Sequence, residues 1–128
     1  MTQVDISAAA RRDLARQPLT ALGLWGLPLV LAMTTNWLTL PTAGVASVWA
    51  AALTWMGIGC FINARRCHRL HCAIAAPVLL TGAGLAGAVA AGVFAAWPQA
   101  LGVVVNVTLV AVAISFAPEF FWGRYGRG

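Results

Sequence analysis

Acidic side chains are nearly missing from this chain: Asp5, Asp13 and Glu119 are the only three in 128 residues, and lysine is absent altogether. Charged residues make up 9% and hydrophobic residues 61%, whereas a soluble domain devotes about a quarter of its residues to charge. A water-soluble core of this length cannot hide so much apolar surface. No acidic residue interrupts the long apolar runs, which leaves a carboxylate proton relay or a sodium site inside a membrane nothing to work with. Cysteine is scarce too, at three residues, and neither a CxxC nor an HExxH pattern occurs. Solenoid repeats are also missing.

What is present is four charge-free stretches: Leu19–Leu40, Gly44–Ala64, Ala73–Phe94 and Trp97–Ala117. At about 1.5 Å of rise per residue, each reaches roughly 30 Å, the thickness of the hydrocarbon core. Unbroken apolar runs without strand alternation favour helices over a barrel, because a helix satisfies its own backbone in lipid. The expected fold is an all-α membrane protein, a single membrane domain over residues 1–128 built as a four-transmembrane-helix bundle. The first run is too long for a signal peptide and lacks a small-residue cleavage site before Trp37 and Pro41, so it reads as a retained anchor.

All eight arginines fall in three places: the N-terminal segment, the loop between spans two and three (Arg65, Arg66 and Arg69), and the tail (Arg124 and Arg127). The other two connections carry none. The positive-inside rule then predicts an N-in/C-in topology in a bacterial inner membrane. These arginines border apolar spans rather than a polar face with stacking aromatics, which argues against a nucleic-acid partner. Trp37 and Trp97 fall near the expected outer interface, and Trp25 and Trp122 near the inner one. Residues 1–18 read as a short amphipathic helix on the inner surface, capped by Asp5 or Ser7 and ended before Pro18.

Span three carries Gly82, Gly84, Gly87 and Gly92 among alanines. Gly84, Ala88 and Gly92 form one four-residue line, and Gly82, Ala86 and Ala90 another. Small residues at this spacing let helix backbones approach closely, so this helix is expected at the centre of the packing. Pro28 and Pro77 each remove a backbone hydrogen bond within a span. Asn106, deep in span four, is expected to face another helix.

The chain's three cysteines and two histidines all lie in Cys60-Phe-Ile-Asn63-Ala-Arg65-Arg66-Cys67-His68-Arg69-Leu-His71-Cys72. Thiolates and imidazoles suit zinc, copper(I) and other soft ions, and neighbouring arginines favour the thiolate. Cys67 with His71, and His68 with Cys72, have the spacing to meet on one helical face, but the two pairs point roughly 100° apart. A site built from all four needs a turn near Leu70 or a second copy. If one helix ran through the stretch, Cys60 would lie about 10 Å along the axis from Cys67. The competing reading makes the arginines topogenic charges near anionic headgroups and the cysteines small buried side chains. A catalytic Cys and His dyad would need a positioned third group and a pocket, which the loop does not reveal, so no enzyme is expected.

The string from Cys60 to Pro77 resembles a motif of small bacterial inner-membrane proteins: Cys-x-x-Asn, then Arg-Cys-x-Arg-x-His-Cys, then a proline. Cys60, Asn63, Arg66, Cys67, Arg69, His71, Cys72 and Pro77 match it, while His68 and Ala76 stand where glycine is expected. A weaker likeness is to the small mercury-uptake membrane proteins, from which the chain departs by lacking a vicinal cysteine pair in its first span. The combined expectation is a metal-resistance, trafficking or sensing protein. It would bind zinc, copper(I) or mercury through Cys67, His71 and Cys72, with His68 and Cys60 behind them and Arg65, Arg66 and Arg69 as electrostatic support. The alternative is a non-catalytic scaffold or accessory subunit, packed in the bilayer against itself or other membrane subunits.

Overall fold

The computed structural model describes residues 7, 8 and 11–122, with Trp122 described by its backbone alone. Every element among them is helical, and four helices are long and apolar enough to cross a membrane. The first, α1, is Pro18–Trp37; α2 is Thr42–Cys67 and α3 is Leu70–Ala90. The fourth span, Ala100–Phe121, consists of α4, Ala100–Ile114, and the short α5, Ala117–Trp122, separated by a two-residue turn. Ser7, Ala8, Arg11 and Arg12 are helical, and Leu14–Arg16 form a 3-10 turn capped by the Asp13 carboxylate on the Ala15 N–H. The expected cap at Asp5 and the arginines at 124 and 127 lie outside the described residues.

The core lies between α2 and α3, the most closely packed pair. Trp49, Leu53 and Met56 face Leu79, Ala83 and Ala86, with Ala32 of α1 and Val105 of α4 closing the sides. Outward positions such as Leu27, Val30, Ile58, Val107 and Ile114 are exposed and equally apolar. That is the surface expected of helices standing in lipid, where hydrocarbon rather than water is the solvent. Ser47, Thr54 and Thr108 return their hydroxyls to carbonyls four residues back, so none needs a partner in hydrocarbon.

Proline and glycine shape the helices at three places. In α1, Leu22–Gly26 is a π turn in which the Leu27 N–H reaches the Leu22 carbonyl. The Gly23 carbonyl thereby loses its α-helical donor, and its π-helical donor would be Pro28, which has no N–H. The indole N–H of Trp55 on α2 fills that position at 3.3 Å. The second place is the end of α3, which stops at Ala90 rather than running to Phe94. Gly92 adopts φ 80°, Val93 N–H bonds the Ala88 carbonyl, and Gly92 N–H bonds the Val89 carbonyl. These are the paired bonds of a Schellman stop, so Gly92 terminates the helix rather than packing it.

The third place is Gly82, where α3 and α4 approach so closely that an added Cβ would stand 2.7 Å from Thr108 Cγ2. Of the two small-residue lines, the one through Gly82 and the fully buried Ala86 meets other helices. Gly84, Gly87 and Gly92 have nothing within 4 Å of the same position. Asn106 also departs from expectation: it is exposed, and its amide bonds the Gly102 carbonyl of its own helix at 2.8 Å.

Candidate functional site

Two residues, His68 and Arg69, connect α2 to α3. His68 closes α2 in the left-handed conformation, φ 54°, with its N–H on the Ala64 carbonyl. Arg69 is extended and opens α3. This turn decides which ligand-type residues can meet. Cys67 ends α2 and His68 lies in the turn, while His71 and Cys72 follow on an antiparallel helix, so neither expected four-residue pair lies on one helical face. The Cys67 thiol instead donates to the Asn63 carbonyl of its own helix at 3.0 Å. The His68 side chain is exposed.

The return of α3 brings Cys72 beside the middle of the α2 end. Its sulfur is 3.4 Å from the Asn63 amide nitrogen and close to the Cys60 thiol. Cys60 in turn accepts the indole N–H of Trp25 at 3.1 Å, so this tryptophan points into the bundle rather than anchoring at an interface. His71 Nε2 stands 3.3 Å from the Cys72 sulfur, and His71 Nδ1 lies 2.6 Å from Glu119 Oε1. The His71 ring stacks on Phe116 at 4.2 Å between centroids. All three cysteines are free thiols, and Cys60 and Cys72 are 3% and 0% exposed.

An ionic clasp lies beside this group. Arg69 reaches Asp13 Oδ2 at 2.7 Å and Glu119 Oε1 at 3.4 Å. Asn63 completes it, donating to Asp13 Oδ1 at 3.0 Å and accepting the Leu14 N–H at 2.8 Å. The N-terminal segment, the turn between α2 and α3, and α5 therefore meet at one end of the bundle. Burial by itself would push the Asp13 carboxyl up. The Asn63 amide, the Ala15 N–H and the Arg69 guanidinium outweigh it and hold that carboxyl below its ordinary value. Burial likewise opposes charge on Arg69, but its two carboxylate partners prevail and raise it. Of the three loop arginines, Arg69 is half-buried and ion-paired in this group, and Arg65 and Arg66 are exposed.

The decisive acidic partners were not among the residues singled out from the sequence. Asp13 lies in the segment before the first span, and Glu119 follows Pro118, which seemed to end the fourth. The helix resumes after the two-residue turn and carries Glu119 back over the loop, so a carboxylate does stand in that span. A lone acid at the edge of an apolar run is itself a signal, because an unpartnered one is costly in lipid.

A cavity of about 310 Å³ borders Cys60, His71 and Arg69. All four spans wall it, with Trp25, Met56, Leu79 and Val112 among its lining. No group of three or more His, Cys, Asp and Glu side chains among the described residues stands in a metal-holding arrangement. The five residues expected to act together are thus divided: Cys60, Cys72 and His71 gather, while Cys67 and His68 turn elsewhere. What is assembled is a dithiol with an imidazole beside one sulfur and a carboxylate behind the imidazole.

Compared with known proteins, the chain matches no family model, no curated protein and no solved structure.

Proposed function

We propose that this chain is a small multi-pass protein of a bacterial cytoplasmic membrane that holds a soft metal ion on the Cys60 and Cys72 thiols, with His71 alongside. The observation that carries this reading is the orientation of His71 between Glu119 and Cys72. With an ionised Glu119 accepting from Nδ1, a neutral His71 ring turns the Nε2 lone pair toward the Cys72 sulfur. Metal-binding histidines are oriented by the same kind of carboxylate contact. Thiols must lose protons to bind a metal, and an imidazole nitrogen 3.3 Å from the Cys72 sulfur supports the reading as an acceptor for one of them. Two thiolates suit copper(I) or mercury better than zinc, which prefers four ligands. Burial of both sulfurs favours holding or sensing over catalysis.

The test is metal retention by protein purified in detergent under reducing conditions. Wild type is expected to keep about one copper(I) or mercury(II) ion per chain, a stoichiometry set by the one thiol pair. Cys60→Ser and Cys72→Ser should each lose it and Cys67→Ser should not. Equal loss in Cys67→Ser, or no ion in wild type, overturns the reading.

A second reading, a scaffold that associates with itself or with other membrane subunits, draws on Asn106. A carboxamide on the outer face of a span gains from a partner across a helix interface. An Asn106→Cys variant that gives no crosslinked dimer in native membranes counts against self-association through this face.

A further inference from the structure

A second concavity lies on the outer surface between α2 and α3, on the side away from the thiol pair. Its volume is about 590 Å³, and it is lined by Phe61, Ala64, Arg65 and His68 from α2 and its cap, and by Ala73, Ala76, Pro77 and Leu80 from α3. The floor is hollow because Ala64, Ala73 and Ala76 are short. Phe61 and Leu80 stand as walls, 49% and 40% exposed. Polarity changes in one direction along it, with both polar residues at the loop end and only apolar side chains beyond.

Arg65 is held at that polar end. Its guanidinium lies 5.1 Å from the centre of the Phe61 ring, a cation over an aromatic face. Among the described residues it has no acidic partner, because Asp13 and Glu119 are both taken by Arg69. The left-handed backbone of His68 puts its exposed ring at the same mouth. From Ala73 to Leu80 the α3 axis advances about 10 Å, enough for the upper part of one acyl chain.

We propose that this groove is a binding site for an anionic glycerophospholipid, with the phosphate at Arg65 and His68 and one acyl chain along Ala73, Pro77 and Leu80. Charge and shape both select this occupant. The mouth carries Arg65 with no acidic partner among the described residues, the channel is apolar, and the order matches a lipid whose headgroup lies at the membrane surface. A soluble phosphate compound would leave the channel empty, and an apolar helix would leave Arg65 unpaired. The site is separate from the thiol pair and does not depend on metal binding.

The experiment is native mass spectrometry of the detergent-solubilised chain, titrated with phosphatidylglycerol and phosphatidylcholine of the same acyl length. Wild type should retain phosphatidylglycerol about fivefold more strongly, the effect expected of one arginine near an anionic headgroup. Arg65→Gln should abolish the preference. Arg66→Gln should keep it, because Arg66 does not line the groove. Ala73→Phe, at an exposed position that leaves the core untouched, should weaken both lipids by filling the channel. Equal loss in Arg66→Gln would mean a diffuse basic surface, and unchanged binding in Ala73→Phe would mean no groove. Displacement of the lipid by glycerol phosphate at the same concentration would reduce the site to its phosphate. Each of these three results overturns the proposal. Helical circular dichroism confirms that every variant compared is folded.

Discussion

At the scale of single residues, Arg69 bears the largest electrostatic burden. Its side chain is 14% exposed and bridges carboxylates that are 0% and 10% exposed. Removing one member of a buried ion pair strands the other, at a cost of about 3 kcal/mol or more. Arg69→Gln should therefore lower the thermal midpoint in detergent strongly, whereas Arg66→Gln should barely move it. The sign of the pH dependence follows from Asp13. Its carboxyl is depressed in the folded chain, so its contribution is complete above the unfolded value near 3.8 and is lost as pH falls through the lower folded value. Unfolding midpoints of wild type should therefore hold from neutral pH down to about 4 and fall below it, and Asp13→Asn should flatten that acid limb. A wild-type acid limb no steeper than that of the variant would remove Asp13 from the account. The sequence named ligand-type residues of one loop, and the structure sorts them by position. Cys60, His71 and Cys72 lie near one another with Asn63 of the same stretch, while Asp13 and Glu119 reach them from 50 and 48 residues away along the chain.

At the scale of elements, glycine spacing overstated how much of α3 is an interface. Gly82 faces Thr108, but Gly84 faces outward a half turn on. Gly82→Val forces α3 and α4 apart and should cost about 2 kcal/mol, as overpacking does. Gly84→Val meets nothing and should leave the thermal midpoint within a few degrees, so similar losses in both variants would contradict the packing described. The sequence could not separate the two lines, because spacing names the faces of a helix but not which face has a neighbour. The turn between α2 and α3 shows the same limit. His68 occupies a left-handed position usually given to glycine, at a cost of about 1 kcal/mol. That backbone state, in a turn directly before Leu70, sends Cys67 and Cys72 onto different helices.

For the whole molecule, the arginine distribution predicts that the clasp end faces the cytoplasm. His68→Cys in a background with Cys60, Cys67 and Cys72 replaced by serine puts one exposed thiol at that end. An impermeant thiol reagent should label it in inverted vesicles and not in intact cells, and labelling of intact cells would reverse the topology.

Four apolar helices and the concentration of ligand-type residues at one loop were determined by the sequence alone. Both depend on local quantities, span length against bilayer thickness and the order of residues within a dozen positions. Which thiols meet, and that a carboxylate orients His71, were decided only by the tertiary structure. Those contacts join α2, α3, α5 and the N-terminal segment, and they depend on the reversal at His68 and on the renewed helix after Pro118. Periodicity along one chain segment carries no information about what folds against it from another.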